Sequence, residues 1–243
     1  MADFSKRLEE NLRSIESRIA QACQRSGRQR ADVTLVAVTK YARLEWVQAL
    51  VELGQLELGE NRPQQLWERA ESLPGSVNWH LIGHLQSNKA RRLFPLVKWI
   101  HSIDSLKLLS NLDRLSKELK VHPSLLVEVN VTGEASKDGF TPDELRRDWD
   151  AILTCQNVKL SGMMTMAPAN ENPEAARSAF RDLRSIRDEL QTRLPSGGAL
   201  NQLSMGMTGD FEIAIEEGAT LVRIGSALFE GLQADDGLNA NSP

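Results

Sequence analysis

"VTLVAVTKYA", residues 33–42, sets Val33, Leu35, Ala37 and Thr39 alternately with Thr34, Val36, Val38 and Lys40. A short run of this kind is the pattern of a strand buried on both faces, as in a parallel sheet. It ends on an ammonium group, which packing alone does not require. Seven further apolar runs follow, near 56–59, 78–82, 97–102, 124–130, 158–164, 200–204 and 220–224. Amphipathic stretches follow each in turn: Leu44–Leu53, Pro63–Leu73, Lys89–Leu96, Ser105–Lys120, Pro142–Thr154, Pro173–Arg193, Asp210–Gly218 and Ser226–Leu232. Asn61, Thr141 and Asn172 stand where helix caps belong, each close before a proline. Eight strand signals alternating with eight helices predict an α/β protein, a single (β/α)8 barrel. A doubly wound open sheet is the alternative. An extra helix leads, with Phe4, Leu8, Leu12, Ile15, Ile19, Ala22 and Cys23 at steps of three and four, stopped by Gly27. One domain over 1–232 and a flexible polar tail over 233–243, "QADDGLNANSP", complete the expected organisation.

Composition narrows the classes. The chain has 243 residues, with 29 Lys and Arg against 33 Asp and Glu, a net charge of −4. That balance offers neither nucleic acid nor an anionic membrane an electrostatic reason to bind. The start "MADFSKRLEE" has no apolar core of a signal, and no run approaches the ~20 residues of a membrane span. Cys23 and Cys155 form no disulfide framework and have no metal-ligand spacing. A cytoplasmic globular protein is the expectation, and one compact barrel predicts a monomer.

In such barrels chemistry gathers at the C-terminal ends of the strands. Lys40 falls there. Partial desolvation favours a neutral amine able to attack carbonyls, and a lysine snorkelling at a strand end is the plainer reading. "RIGSA", 223–227, puts Arg223 at the end of the last strand and Gly225-Ser226 at the start of a helix, a place that suits a phosphate. Ser204 and Thr208 in "SMGMT" add hydroxyls nearby. A tight turn needing glycine is the competing reading. Met163, Met164, Met166, Met205 and Met207 cluster at neighbouring strand ends, where thioethers suit a flat heteroaromatic ligand or simply the core. His80 and His84 in "WHLIGHLQSNK" lie about 13 Å apart along a strand, which argues against a shared metal. Asn61 in "GEN" reads as a ligand contact or a cap, and Asp104 in "HSID" as a cap for the helix from Ser105.

Taken in order, "AVTK" (37–40), "GENRPQ" (59–64), "WHLIGHLQSNK" (79–89), "HSID" (101–104), "VNVTGEASKDG" (129–139), "SGMMTMAP" (161–168) and "LSMGMTGDFEIAIEEGATLVRIGSALF" (203–229) resemble the YggS/PROSC (PLPBP) family. These are single-domain pyridoxal 5'-phosphate (PLP)-binding proteins of vitamin B6 homeostasis. The resemblance covers about residues 5–230. It implies a barrel similar to the alanine racemase N-terminal domain, with PLP as cofactor and Lys40 holding it as a Schiff base. It implies that Ser204, Gly225, Ser226 and Thr208 hold the phosphate, that Arg223 faces the pyridine nitrogen, and that Asn61, Met164 and Met166 line the ring. An arginine there leaves the nitrogen unprotonated, a weaker electron sink than a carboxylate-paired pyridinium. Departures are Thr208 where Ser is usual, Met163 where Leu is usual, and "FEG" (229–231) for "FG".

A racemase needs an acid/base group on each face of the ring. The only tyrosine, Tyr41, neighbours Lys40 and, in an extended chain, points away from it. The expectation is therefore a PLP carrier or buffer in vitamin B6 and amino-acid homeostasis, with no catalytic residue and no metal. Apo PLP-dependent enzymes are its implied partners. A PLP-dependent amino-acid racemase, with His84 or a water as second base, is the alternative, and a cofactor-free Schiff-base aldolase on Lys40 a third reading.

Overall fold

Period two in the strands decides which side chains enter the interior. In β1 (Thr34–Val38), Val36 points into a small interior cluster with Leu126, Met164 and Leu221, whereas Leu35 and Ala37 face the surrounding helices. The computed structural model describes residues 3–134, 137–168, 170 and 172–232. The predicted tail over 233–243 lies outside the described residues.

After β1 come α2 (Leu44–Glu52), β2 (Glu57–Glu60), α3 (Pro63–Ser72), β3 (Asn78–Leu81), α4 (Ser87–Leu93) and β4 (Val97–Ile103). The second half runs α5 (Leu106–Leu119), β5 (Ser124–Glu128), α6 (Pro142–Leu153), β6 (Lys159–Met164), α7 (Arg177–Gln191), β7 (Gln202–Ser204), α8 (Phe211–Glu216) and β8 (Leu221–Ile224). Every neighbouring pair is parallel, and β8 returns to β1, so the sheet is a closed barrel in chain order. Closure excludes the doubly wound alternative. All eight predicted strands are present, within about two residues at most ends.

Three local expectations need correction. Asn61 does not cap α3: Arg62 holds that position, without a side-chain cap, and Pro63 opens the helix. Asp104 does not cap α5: Ser105 does, its Oγ accepting from the Leu108 N–H at 3.3 Å, and Asp104 instead accepts from the Ser105 hydroxyl at 2.9 Å. The helix expected over Ser226–Leu232 is a 3-10 turn over Ser226–Phe229. Thr141 caps α6 in a full capping box with Glu144. Asn172 accepts from the Glu174 N–H at the head of a 3-10 turn, Pro173–Ala176, that leads into α7.

The leading helix, α1 (Asp3–Arg25), buries Leu8, Ile15, Ile19, Ala22 and Cys23. Asn11 Nδ2 donates to the Leu228 and Glu230 carbonyls at 3.0 and 2.9 Å, and Arg18 holds Glu212 through two bonds of 2.7 and 3.0 Å. The helix thus braces the Ser226–Phe229 turn from behind. Leu8→Ala is expected to cost ~2–5 kcal/mol by urea denaturation, the range for emptying a fully buried leucine site. A loss well under 1 kcal/mol would show the helix to be an accessory rather than part of the core.

Candidate functional site

At the C-terminal mouth of the barrel lies a cavity of about 410 Å³. Lys40, Asn61, Met166, Thr208, Arg223, Gly225 and Ser226 all line it, with Ile82, Trp46 and Phe229 among the apolar walls. Trp46 and Phe229 stack, with ring centroids 6.1 Å apart and 25° between planes. A wider cavity of about 810 Å³ opens outward from the same spot and shares Lys40, Tyr41 and Asn61 with the first. Seven of the nine residues expected to bind a ligand therefore meet around one space. Two do not reach it. Met164 is buried in the interior cluster, and Ser204 is fully buried, its hydroxyl bonded to His101 and Arg223.

Lys40 stands two residues beyond Val38, the end of β1, and lines the cavity together with it. The chain turns at Lys40-Tyr41 instead of staying extended. Lys40 Nζ consequently lies 5.0 Å from the Tyr41 ring centroid, with Tyr41 87% exposed. The expectation that the two side chains diverge is corrected by that turn.

The loop carrying Lys40 is tied down from below. Arg69, on α3, donates to the Thr39 carbonyl at 2.8 Å, the Ala42 carbonyl at 2.6 Å and Glu60 Oε1 at 2.6 Å. Thr39 donates to the same carboxylate at 2.5 Å, and Gln65 Nε2 donates to the Lys40 carbonyl at 2.9 Å. Burial pushes the Glu60 carboxyl up, and Thr39 and Arg69 pull it back without cancelling that rise. Arg69 shares the buried face of α3 with Pro63 and Leu66, and a charge in phase with an apolar face was the available signal.

Asn61 reaches the mouth because Gly83 leaves room: a Cβ there would stand 2.3 Å from the Asn61 carbonyl oxygen. Gly206 has φ of +91°, and a Cβ would stand 2.6 Å from that of Ala214. It lets the loop after β7 fold back, where Asp210 accepts from the Met207 N–H at 2.6 Å and holds Thr208 at the cavity. His84 is exposed at the mouth and pairs with Asp104 at 2.9 Å, while His80 is sealed in the interior. The structure keeps these two histidines apart.

Arg223 is only 4% exposed; it donates to Ser204 Oγ at 2.5 Å and to the Thr165 carbonyl at 2.9 Å. Burial lowers its pKa to about 10, against the pull of Glu128 and Asp210, so it stays charged near neutrality. Glu128, at the end of β5, is the buried acid that the strand pattern concealed. Burial, with Asp138 and Asp104 adding to it, raises its pKa to about 7, and Arg223 works the other way.

Fold and cavity together define a (β/α)8 barrel with a lysine and a buried arginine at one ligand-sized mouth. The model of the family described as "Alanine racemase, N-terminal domain" matches residues 9–233. A pyridoxal phosphate homeostasis protein of Aquifex aeolicus is 41% identical over 221 residues, covering 90% of this chain and 96% of its own. PipY of Synechococcus elongatus, solved with PLP bound, is 34% identical with a TM-score of 0.76, covering 87% of this chain and 99% of its own. An alanine racemase of Clostridium difficile shares the fold, with a TM-score of 0.71 at 16% identity, and this chain spans 58% of it. The chain belongs to the alanine racemase N-terminal domain family and, within it, to the pyridoxal phosphate homeostasis proteins.

Arg69→Ala leaves Glu60 buried without its cation and is expected to cost about 3–5 kcal/mol by chemical denaturation. Glu128→Gln tests the other buried acid. Its folded pKa of about 7 lies above the ordinary 4.5, so the folded state holds a proton that the unfolded chain has lost. Stability then falls as pH rises through that window. Glu128→Gln is expected to gain roughly 1–3 kcal/mol on the parent near pH 8 and little near pH 4. Equal gains at both pH values would show Glu128 to be ionised throughout.

Proposed function

We propose that this chain is a PLP carrier or buffer in vitamin B6 and amino-acid homeostasis, holding PLP covalently through Lys40. It works as a cytoplasmic monomer, with the barrel over 1–232 as its one domain. The observation that carries the proposal is the convergence of Lys40, Arg223 and the Gly225-Ser226 turn on one cavity.

The residues present fit the cofactor. A volume of about 410 Å³ suits a small aromatic phosphate. Lys40 brings an amine to the mouth. Gly225 begins a short turn with no side-chain cap, and Ser226 and Thr208 add hydroxyls, a donor set for phosphate. Arg223, charged near neutrality, would present a donor and no acceptor to a ring nitrogen. Met166, Asn61 and Ile82 border the space for the ring. When bound, PLP supplies an aldehyde for amines and an electron-withdrawing ring for the bonds beside them. With Arg223 as ring partner the chain gives that ring little help as an electron sink.

The same geometry favours storage over turnover. Among the described residues, the titratable groups lining the cavity are Lys40, Tyr41 and Arg223. Tyr41 is 87% exposed and sits beside Lys40, and His84, the imidazole of the outer cavity, is tied to Asp104 at 2.9 Å, so the inner cavity itself offers no acid or base beyond these. The large outer cavity leaves the site open to water and to exchange. Apo PLP-dependent enzymes are the recipients this arrangement suits.

Full-length protein mixed with PLP is expected to show a yellow band that borohydride bleaches, with the pyridoxyl-phosphate mass fixed on Lys40. Lys40→Ala is expected to abolish the adduct at unchanged melting temperature. Loss of amino-acid α-deuterium at ordinary enzymatic rates would make the chain a racemase, and a colourless protein that takes up no PLP would sink the proposal.

A further inference from the structure

A line of polar side chains crosses the barrel interior from half-buried Glu57 to Arg223, and apart from Arg223 its members have no part in the function proposed above. Glu57 opens β2, His80 sits in β3, His101 in β4, Ser204 ends β7, and Arg223 lies in β8. Four consecutive hydrogen bonds join them. Glu57 Oε2 to His80 Nε2 is 2.7 Å, and His80 Nδ1 to His101 Nε2 is 2.9 Å. His101 Nδ1 to Ser204 Oγ is 2.8 Å, and Ser204 Oγ to Arg223 is 2.5 Å. His80, His101 and Ser204 are wholly excluded from solvent.

The chemistry of the two ends places every proton between them. A guanidinium only donates, so Ser204 Oγ accepts from Arg223. The hydroxyl proton is then free for His101 Nδ1. His101 must carry its own proton on Nε2, and gives it to His80 Nδ1. His80 in turn carries a proton on Nε2 and gives it to Glu57, whose carboxylate only accepts. All four donors point the same way. Burial disfavours the charged form of both rings, against the pull of Glu57 at His80 and with the charges of His80 and Arg223 adding to it at His101, and the relay has both rings neutral.

The line is held on all sides. Asn78 Nδ2 donates to the other Glu57 oxygen at 2.5 Å, and Trp99 stacks on His80 at 5.9 Å with 7° between planes. The other charges that act on it are Lys98, near Glu57 and His80, and Glu128 and Asp210, near Arg223.

We propose that Glu57, His80, His101 and Ser204 are positioning residues for the cavity. They form a one-way hydrogen-bond relay that fixes Arg223 as a charged donor and transmits to it the charge of Glu57 at the opposite end of the barrel. Ser204 accordingly serves the ring end of the site through Arg223 and not the phosphate. The ligand's identity rests on the function proposed above; the relay does not.

Long-range ¹⁵N NMR of the ligand-free, labelled full chain tests the relay by itself. His80 and His101 are expected to be neutral Nε2–H tautomers at about pH 8, above the ordinary histidine range. An Nδ1–H tautomer or an imidazolium at either ring overturns the relay, whether or not the chain binds PLP. Coupling to the cavity is read on the PLP-loaded protein. Ser204→Ala removes a joint, and Glu57→Gln keeps the last acceptor while deleting its charge. Ser204→Ala is expected to shift the absorption band and speed PLP release about tenfold, with Glu57→Gln acting in the same direction but less. Affinity for inorganic phosphate is expected to be unchanged in Ser204→Ala. If both variants only lower the melting temperature and leave band and release untouched, the residues merely fill the core. If Ser204→Ala loses phosphate affinity, its hydroxyl is a phosphate ligand and the assignment is wrong.

Discussion

Arg223 carries a guanidinium into the interior of a closed barrel, and much of what is unusual in this molecule follows from keeping that charge there. A closed parallel sheet sends every second side chain of each strand inward, where water does not follow. Arg223 is in phase with Leu221 and must enter. Its donors are then met by Ser204 and the Thr165 carbonyl, and its field by Glu128 and Asp210. The interior is consequently divided. Val36, Leu126, Met164 and Leu221 make an apolar cluster, while β2, β3, β4 and β7 contribute polar groups that answer the arginine.

A second buried cation solves a different problem. Lys40 is useful only if its loop is rigid, yet the loop follows a strand end and turns sharply. Arg69 reaches up from α3 and takes two carbonyls of that loop, with Glu60 as its counter-charge. Removing one partner of such a pair is costly because the other is left charged and dry. The leading helix does comparable work on the opposite rim, where Asn11 holds the carbonyls of Leu228 and Glu230. The two halves of the mouth are thus fixed independently, one by a charge and one by a packed helix.

What was legible in the chain is what repeats locally. Alternating runs and amphipathic stretches give eight strands and a barrel because each pattern reports its own burial. The strand-end rule then singles out Lys40, Asn61, Thr208, Arg223 and Ser226. What stayed hidden depends on contacts across the barrel. Glu128 sits within an apolar run and nothing local says that it faces Arg223. His80 and His101 look like isolated core histidines until the closed sheet puts one ring against the other. Asn61 fits a cap by residue type, but the register of Pro63 hands that position to Arg62. Tyr41 was misplaced because alternation was carried three residues past the end of the strand, into a turn.

The openness of the mouth is the final constraint. Lys40, Tyr41 and Asn61 belong to both the inner and the outer cavity, so the reactive amine stands at a doorway and not at the bottom of a closed pocket. An efficient catalyst gains from the reverse arrangement, in which water is excluded and acid and base flank the reacting atoms. Here Arg223 is buried at the inner side with half-buried Gly225 beside it, and the exposed residues, Tyr41, Met166 and Ser226, lie at the rim. On the proposed function this ordering separates two tasks. The inner groups set the orientation of a bound ring and phosphate. The rim leaves the covalent link on Lys40 accessible to an incoming amine, which a store that must give up its contents requires.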